Sequence, residues 1–256
     1  MKFIVCFLLI IQFLNLILAS LKRGLRASGS CNKDPGLMSI DEKKFILLTL
    51  NRLRNQVATQ TTTIGPKLPF ARNMLQMYYS DTLGSTAQTV ANRCLYKHSN
   101  PQERKQPQFA VGENVFRMKF INGTPEKNWQ NAIEDWFSEI KDFGGKSVVQ
   151  FNPNGPVTSH LTQLIWANTF LVGCGFASYS DSPKEISHLY VCHFGPTGNI
   201  VNFPIYNASY YPGCDCPQNL GCNNMTFPGL CCASGHCNVN SLEYNGEPYK
   251  GVIPDI

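Results

Sequence analysis

The chain has 256 residues, enough for one domain with an appendage or for two small domains. Its 43% hydrophobic and 15% charged residues describe a globular protein and exclude a disordered or coiled-coil one. The formal net charge is +5, but the basic residues are scattered and Lys22, Arg23 and Arg26 are the only local excess, so no nucleic-acid partner is expected.

Residues 1–20 read as a signal peptide: Lys2, an apolar run from Phe3 to Leu18, then the small residues Ala19 and Ser20. A membrane anchor is the competing reading, but Gln12 and Asn15 interrupt the run and a span needs ~20 apolar residues. A secreted, extracellular protein with no transmembrane segment in the mature chain is therefore expected. Removing Lys2 leaves 21 basic against 17 acidic residues, a net charge of +4, which supports at most a mild attraction to anionic surfaces. Of the 11 cysteines, Cys6 leaves with the signal peptide, and the remaining ten imply disulfides without a free thiol. Asn122-Gly-Thr124, Asn207-Ala-Ser209 and Asn224-Met-Thr226 are glycosylation sequons.

Ser39-Ile40-Asp41-Glu42 has the form of a capping box, and Ile46, Leu50, Leu53 and Val57 repeat at helical spacing, so a first helix is expected over Ile40–Ala58. A loop follows through Thr59–Thr63, Gly65-Pro66 and Pro69. A second helix runs from Met74 or Ser80 to Cys94, with Gly84 weakening it slightly. Tyr96–Gln108 is polar and carries His98, and Val111–Phe116 sets Glu113 between apolar neighbours. Thr124-Pro125 signals a third helix bearing Trp129, Ile133, Trp136, Phe137 and Ile140, stopped at Gly144-Gly145. Glu139 lies at the margin of its apolar stripe.

Three runs then read as extended: His160–Trp166, Leu171–Tyr179 and His188–Phe194. In the first, His160, Thr162, Leu164 and Trp166 would share one face. The other two carry Cys174 and Cys192, a plausible cross-strand bridge. Helices first and strands later give an α+β fold with an antiparallel sheet. From Tyr206 the composition turns to Pro, Gly, Asn and Cys, with Cys214, Cys216, Cys222, Cys231, Cys232 and Cys237 packed together, a stretch expected to rely on disulfides for want of its own core. Residues 241–256 read as a loose tail.

Ser159–Trp166, with Gly173-Cys174-Gly175 and Tyr190–Asn199 behind it, resembles the two signature motifs of the CAP superfamily: cysteine-rich secretory proteins, antigen-five venom allergens and plant pathogenesis-related-one proteins. The match extends through Gly65-Pro66, Ala71–Met74, Ala91–Cys94, Gly112-Glu113-Asn114 and Trp136–Asp142, and looks closest to venom-allergen-like proteins of arthropods and parasitic worms. The resemblance implies a three-layer α-β-α sandwich with a central antiparallel sheet over 31–206, and a disulfide-rich, hinge-like extension over 207–240. It implies a cavity lined by His98, Glu113, Glu139 and His160, able to hold a divalent metal (zinc or magnesium) that is not obligatory. It also suggests Cys31–Cys94 and Cys174–Cys192 bridges, leaving the six remaining cysteines 15 possible connectivities. Where many relatives have His-Asn in the first helix, this chain has Leu50-Asn51.

From the residues alone, His98 and His160 are either metal ligands or a hydrogen-bonded structural pair, whereas His188, His193 and His236 read as non-functional. No His-Glu-x-x-His, Gly-x-Ser-x-Gly or free cysteine supports an enzyme. The resemblance implies lipid partners, sterols or fatty acids, between two amphipathic helices, with the loop Phe143–Phe151 as a candidate sterol contact. A host or extracellular protein receptor is the alternative partner.

Overall fold

The computed structural model describes residues 31–33, 38–123, 126–182, 184–217, 220–222, 225–233 and 237. The signal peptide over 1–20, the sequon Asn224, His236, the proposed cap Thr124-Pro125 and the tail over 241–256 lie outside the described residues.

Strand β1 (Cys31–Lys33) leads to helix α1 (Ile40–Ala58), whose bounds are those expected. Its capping box is formed: Glu42 N donates to Ser39 Oγ at 3.2 Å and Ser39 N donates to Glu42 Oε2 at 3.0 Å. Short strands β2 (Phe70–Ala71) and β3 (Tyr78–Tyr79) precede helix α2 (Asp81–Ala91), which starts at the later of the two expected points because the Ser80 hydroxyl caps Leu83 N. The single-turn helix α3 (Pro101–Arg104) follows, then strand β4 (Gly112–Ile121) and helix α4 (Trp129–Ser138), capped by Asn128. Two 3₁₀ turns, Glu139–Asp142 and Gly145–Val148, carry the chain towards helix α5 (Ser159–Leu164). Strands β5 (Leu171–Ser182) and β6 (Glu185–Gly195) form a long hairpin, and the short strands β7 (Ala208–Ser209), β8 (Leu220–Gly221) and β9 (Cys232–Ala233) follow.

One expected strand is a helix. Ser159–Leu164 forms α5, so His160, Thr162, Leu164 and Trp166 do not line one face of a strand. The same run carries Leu161, Leu164 and Ile165 at helical spacing, all fully buried, and burying that trio overrides the period-two alternation.

The main sheet runs β1-β5-β6-β4, antiparallel throughout, with β3 added parallel to β5. Alternation along β5 and β6 sorts its two faces. Ala177, Leu189 and Val191 meet Ala87, Val90 and Ala91 of α2, whereas Cys174, Tyr190, Cys192 and Phe194 share a core with α1 and α4. The result is an α-β-α sandwich. Where α2 meets the sheet, the glycine that the close approach requires is Gly173 of β5. The Cβ that a side chain would place on Gly173 collides with the backbone of Leu83 and Gly84, so α2 reaches the sheet only over glycine.

Arg54 ties the layers near α5. Its fully buried guanidinium donates to the carbonyls of Leu75, Leu164, Trp166, Ala167 and Thr169 at 2.7–3.2 Å.

Cys31–Cys94 and Cys174–Cys192 are formed, and the remaining six cysteines pair as Cys214–Cys222, Cys216–Cys231 and Cys232–Cys237. The extension is less dependent on them than its composition suggests. Phe227 and Leu230 enter the main core, Cys231 N donates to Met74 O at 2.8 Å, and Gly229 N donates to Asn55 Oδ1 at 2.8 Å.

Candidate functional site

Glu113, second residue of β4, stands opposite His193 of β6, on the sheet face that carries α2. Its carboxylate has no exposed surface and is surrounded by donors. Oε1 accepts from Ser99 N at 2.8 Å and meets His98 Nδ1 at 2.8 Å. Oε2 accepts from Ser99 Oγ at 2.7 Å and meets His193 Nε2 at 3.0 Å. Burial pushes this carboxyl up, but the hydrogen bonds from His193, His98 and Ser99 outweigh it and hold the group far below the usual carboxylate range. Arg104 braces the loop that carries His98, donating to Ser99 O at 2.6 Å and Val111 O at 2.8 Å.

His193, which the sequence reading set aside as non-functional, lies against Glu113. It is fully buried, its Nε2 meets Glu113, and its Nδ1 meets Thr86 Oγ1 at 2.8 Å, so it is one of the groups that position the site. Sequence alone offered only a histidine inside an apolar strand. The signal lay in the register that sets it across from Glu113. His188 is buried among Phe120, Phe176 and Tyr190, and its Nδ1 has no hydrogen-bond partner among the described residues.

The second pair is built on the other helical layer. Glu139 opens the 3₁₀ turn after α4; its Oε1 meets His160 Nδ1 at 2.7 Å and its Oε2 accepts from Leu161 N at 2.9 Å, capping the first turn of α5. The imidazole stacks on Trp136, with ring centroids 6.4 Å apart and planes inclined by 27°. The fully buried Trp136 indole N–H has no hydrogen-bond partner among the described residues. Burial, helped by Glu139 and opposed by His160, raises the nearby Asp135 carboxyl.

The four residues singled out from the sequence thus come together as two His–Glu pairs. Asn114, next to Glu113 but on the opposite sheet face, joins them by donating to His160 O at 3.1 Å. Each glutamate spends its oxygens on an imidazole Nδ1 and on a backbone amide, so each histidine keeps Nε2 as its remaining donor atom for a ligand. Among the described residues, the one group of three metal-type ligand atoms within 4.8 Å of one another is Cys214, Cys216 and Cys222, and all three sulfurs are in disulfides.

The loop Phe143–Phe151 divides between the core and a groove. Phe143 and Phe151 are buried in the main core, and Gly145, Lys146 and Val149 line a groove of 730 Å³. Helices α1 and α4 pack directly, merging their apolar faces in that same core. Among the described residues no helix is long and apolar enough to cross a membrane.

The sequence matches the model of the cysteine-rich secretory protein family over residues 47–194. It is 34% identical over 205 residues to a CRISP/Allergen/PR-1 protein of Trittame loki, covering 78% of this chain and 50% of that one. It is 32% identical over 209 residues to Venom allergen 5 of Tityus serrulatus, again spanning half of the relative's length. Cysteine-rich secretory protein 2 of Cavia porcellus is 33% identical over 226 residues, covering 86% and 82% of the two chains. Among solved structures, NaASP2 with Zn2+ has 27% identity and a TM-score of 0.58, covering 68% of this chain and 90% of that one.

Proposed function

The chain belongs to the cysteine-rich secretory protein (CAP) family, with venom allergens among its relatives, and from that premise we propose that it is an extracellular binding protein in which His98 and His160 hold a divalent cation. The observation that carries this reading is the paired use of Nδ1. Each imidazole is oriented by a carboxylate and keeps Nε2 for a ligand, the arrangement in which a second-shell acid fixes a metal-binding histidine. Two imidazoles suit zinc better than magnesium, which prefers oxygen donors. The donor set therefore fits such an ion, with Glu113 and Glu139 as orienting groups. A bound cation would supply a Lewis-acid point with coordination positions open to water or a ligand oxygen. The zinc named for NaASP2 supports the same reading.

Catalysis is not part of the proposal. Glu113 is anionic, enclosed and fully hydrogen-bonded, which suits it poorly for passing protons, and every described cysteine is in a disulfide. Zinc titration by calorimetry tests the centre. Wild type is expected to bind one zinc per chain and the His98→Ala/His160→Ala double variant none; unchanged stoichiometry in the double variant would overturn the assignment.

A lipid-binding reading is favoured by the 730 Å³ groove between the loop carrying Lys67 and Leu68, the 3₁₀ turn at Gly145–Val148, and Tyr210. Its volume suits a small amphiphile. Leu68, Pro69 and Val149 offer an apolar wall, and Lys67 and Lys146 offer cationic ends for a fatty-acid carboxylate; a sterol would use the wall alone. Native mass spectrometry and competition with radiolabelled sterol and fatty acid test it. Absence of saturable binding would leave an extracellular or host receptor as the partner class.

A further inference from the structure

We propose that Asn207 carries an N-linked glycan whose first N-acetylhexosamine lies over the cavity beside it. Asn207 opens the sequon Asn207-Ala208-Ser209 and is exposed. Its backbone is held from both sides: its N donates to Asn73 Oδ1 at 2.8 Å, and its carbonyl accepts from Arg72 N at 3.0 Å. Its side-chain amide has no hydrogen-bond partner among the described residues. The position is fixed while the reactive nitrogen is left outside.

Asn207 also lines a cavity of 200 Å³ with the aromatic residues Trp166, Tyr206 and Phe203 and the amides of Asn73 and Asn168. That is below the 300–1,000 Å³ or so of drug-sized ligand sites and on the scale of one sugar ring. The chemistry fits a pyranose: Phe203, the exposed aromatic of the lining, for its C–H face, and the Asn73 and Asn168 amides for its hydroxyl and acetamido groups, over a floor formed by the buried Trp166 and Tyr206. Phe203, a large aromatic left 56% exposed at the rim, is explained by a sugar packed on it. Asn122, the other described sequon asparagine, sits in a turn with φ 55° beyond β4 and lines neither cavity.

The modification forms a bond from Asn207 Nδ2 to sugar C1. It breaks the bond from C1 to the diphosphate of a polyprenyl-linked oligosaccharide donor, which leaves with its electron pair as the amide loses a proton. Attachment precedes folding, and the cavity then receives the first sugar.

The test uses the full chain secreted from a eukaryotic host. Glycopeptide mapping is expected to find Asn207 occupied. Trimming to a single N-acetylglucosamine should leave Tm unchanged, and complete removal should lower it by about 2–4 °C. Ser209→Ala should reproduce that drop while Ser209→Thr, which keeps the sequon, does not. Phe203→Ala should cost more in the glycosylated protein than in the Ser209→Ala background. An unoccupied Asn207, or additive effects of Phe203→Ala and glycan loss, would overturn the proposal. Saturable binding of free N-acetylglucosamine by a wild type unmodified at Asn207 would also overturn it and make the cavity a site for external sugar.

Discussion

The two halves of the candidate centre hold their imidazoles with opposite distributions of burial. In the first, Glu113 is sealed inside and its partner His98 is 60% exposed; in the second, Glu139 and His160 are both partly buried, at 15% and 23% exposure. Glu113 gathers the groups around it, linking Ser99, His98 and His193, and is worth most to stability. Glu139 joins one helix terminus to one imidazole and acts mainly on position. A buried anion with many donors is costly to remove because every donor is orphaned at once, whereas water replaces an exposed acceptor cheaply.

The largest expected effect tests that contrast. Glu113→Ala should cost about 3–5 kcal/mol in denaturant unfolding, leaving the buried His193 Nε2 and Ser99 N–H without their carboxylate acceptor. Glu139→Ala should cost about 1–2 kcal/mol. Equal costs would break the comparison.

Acid titration of stability comes next. The folded Glu113 carboxyl lies below its unfolded value of about 4.3, so its contribution is complete above that pH and is lost as pH falls further. Burial, then Lys127, push the His188 imidazole below its unfolded value of about 6.5. There the unfolded chain takes the proton first, so stability starts to fall below about pH 6.5. Two acid stages are expected. His188→Phe should remove the upper one and Glu113→Gln should diminish the lower one, to which Glu42, also held below the usual carboxylate range, contributes, measured as unfolding free energy against pH. A profile that Glu113→Gln leaves unchanged below about pH 4 would show that Glu113 does not set the lower stage.

Ser99→Ala removes one of the Glu113 donors and should cost about 1 kcal/mol without changing zinc stoichiometry. The smallest effect concerns the second half. Zinc at His160 should alter emission from the stacked Trp136, and Trp136→Phe should abolish that signal while leaving binding intact. A signal that survives the substitution would place the responding tryptophan elsewhere.

Much of the fold was legible because its causes are local. The Ser39–Glu42 box and the spacing of Ile46, Leu50, Leu53 and Val57 set α1 within a single stretch of chain. Alternation gave β5 and β6, and their facing cysteines gave the bridge. Four site residues were legible through their motifs, and they meet as two His–Glu pairs.

What the sequence by itself determined is therefore what neighbouring residues decide: helix starts, strand faces, and the histidine and glutamate types the chain offers. Tertiary structure alone decided the rest. Whether Ser159–Trp166 would be strand or helix turned on which residues the core could bury. The place of His193 depended on β4–β6 register, and the pairing of six cysteines on how the extension docks at Met74. Arg54, in sequence an ordinary polar residue on an amphipathic helix, is buried because carbonyls of segments more than 100 residues away converge on it. Such choices depend on desolvation and hydrogen bonding between distant segments, and no local period or propensity encodes them.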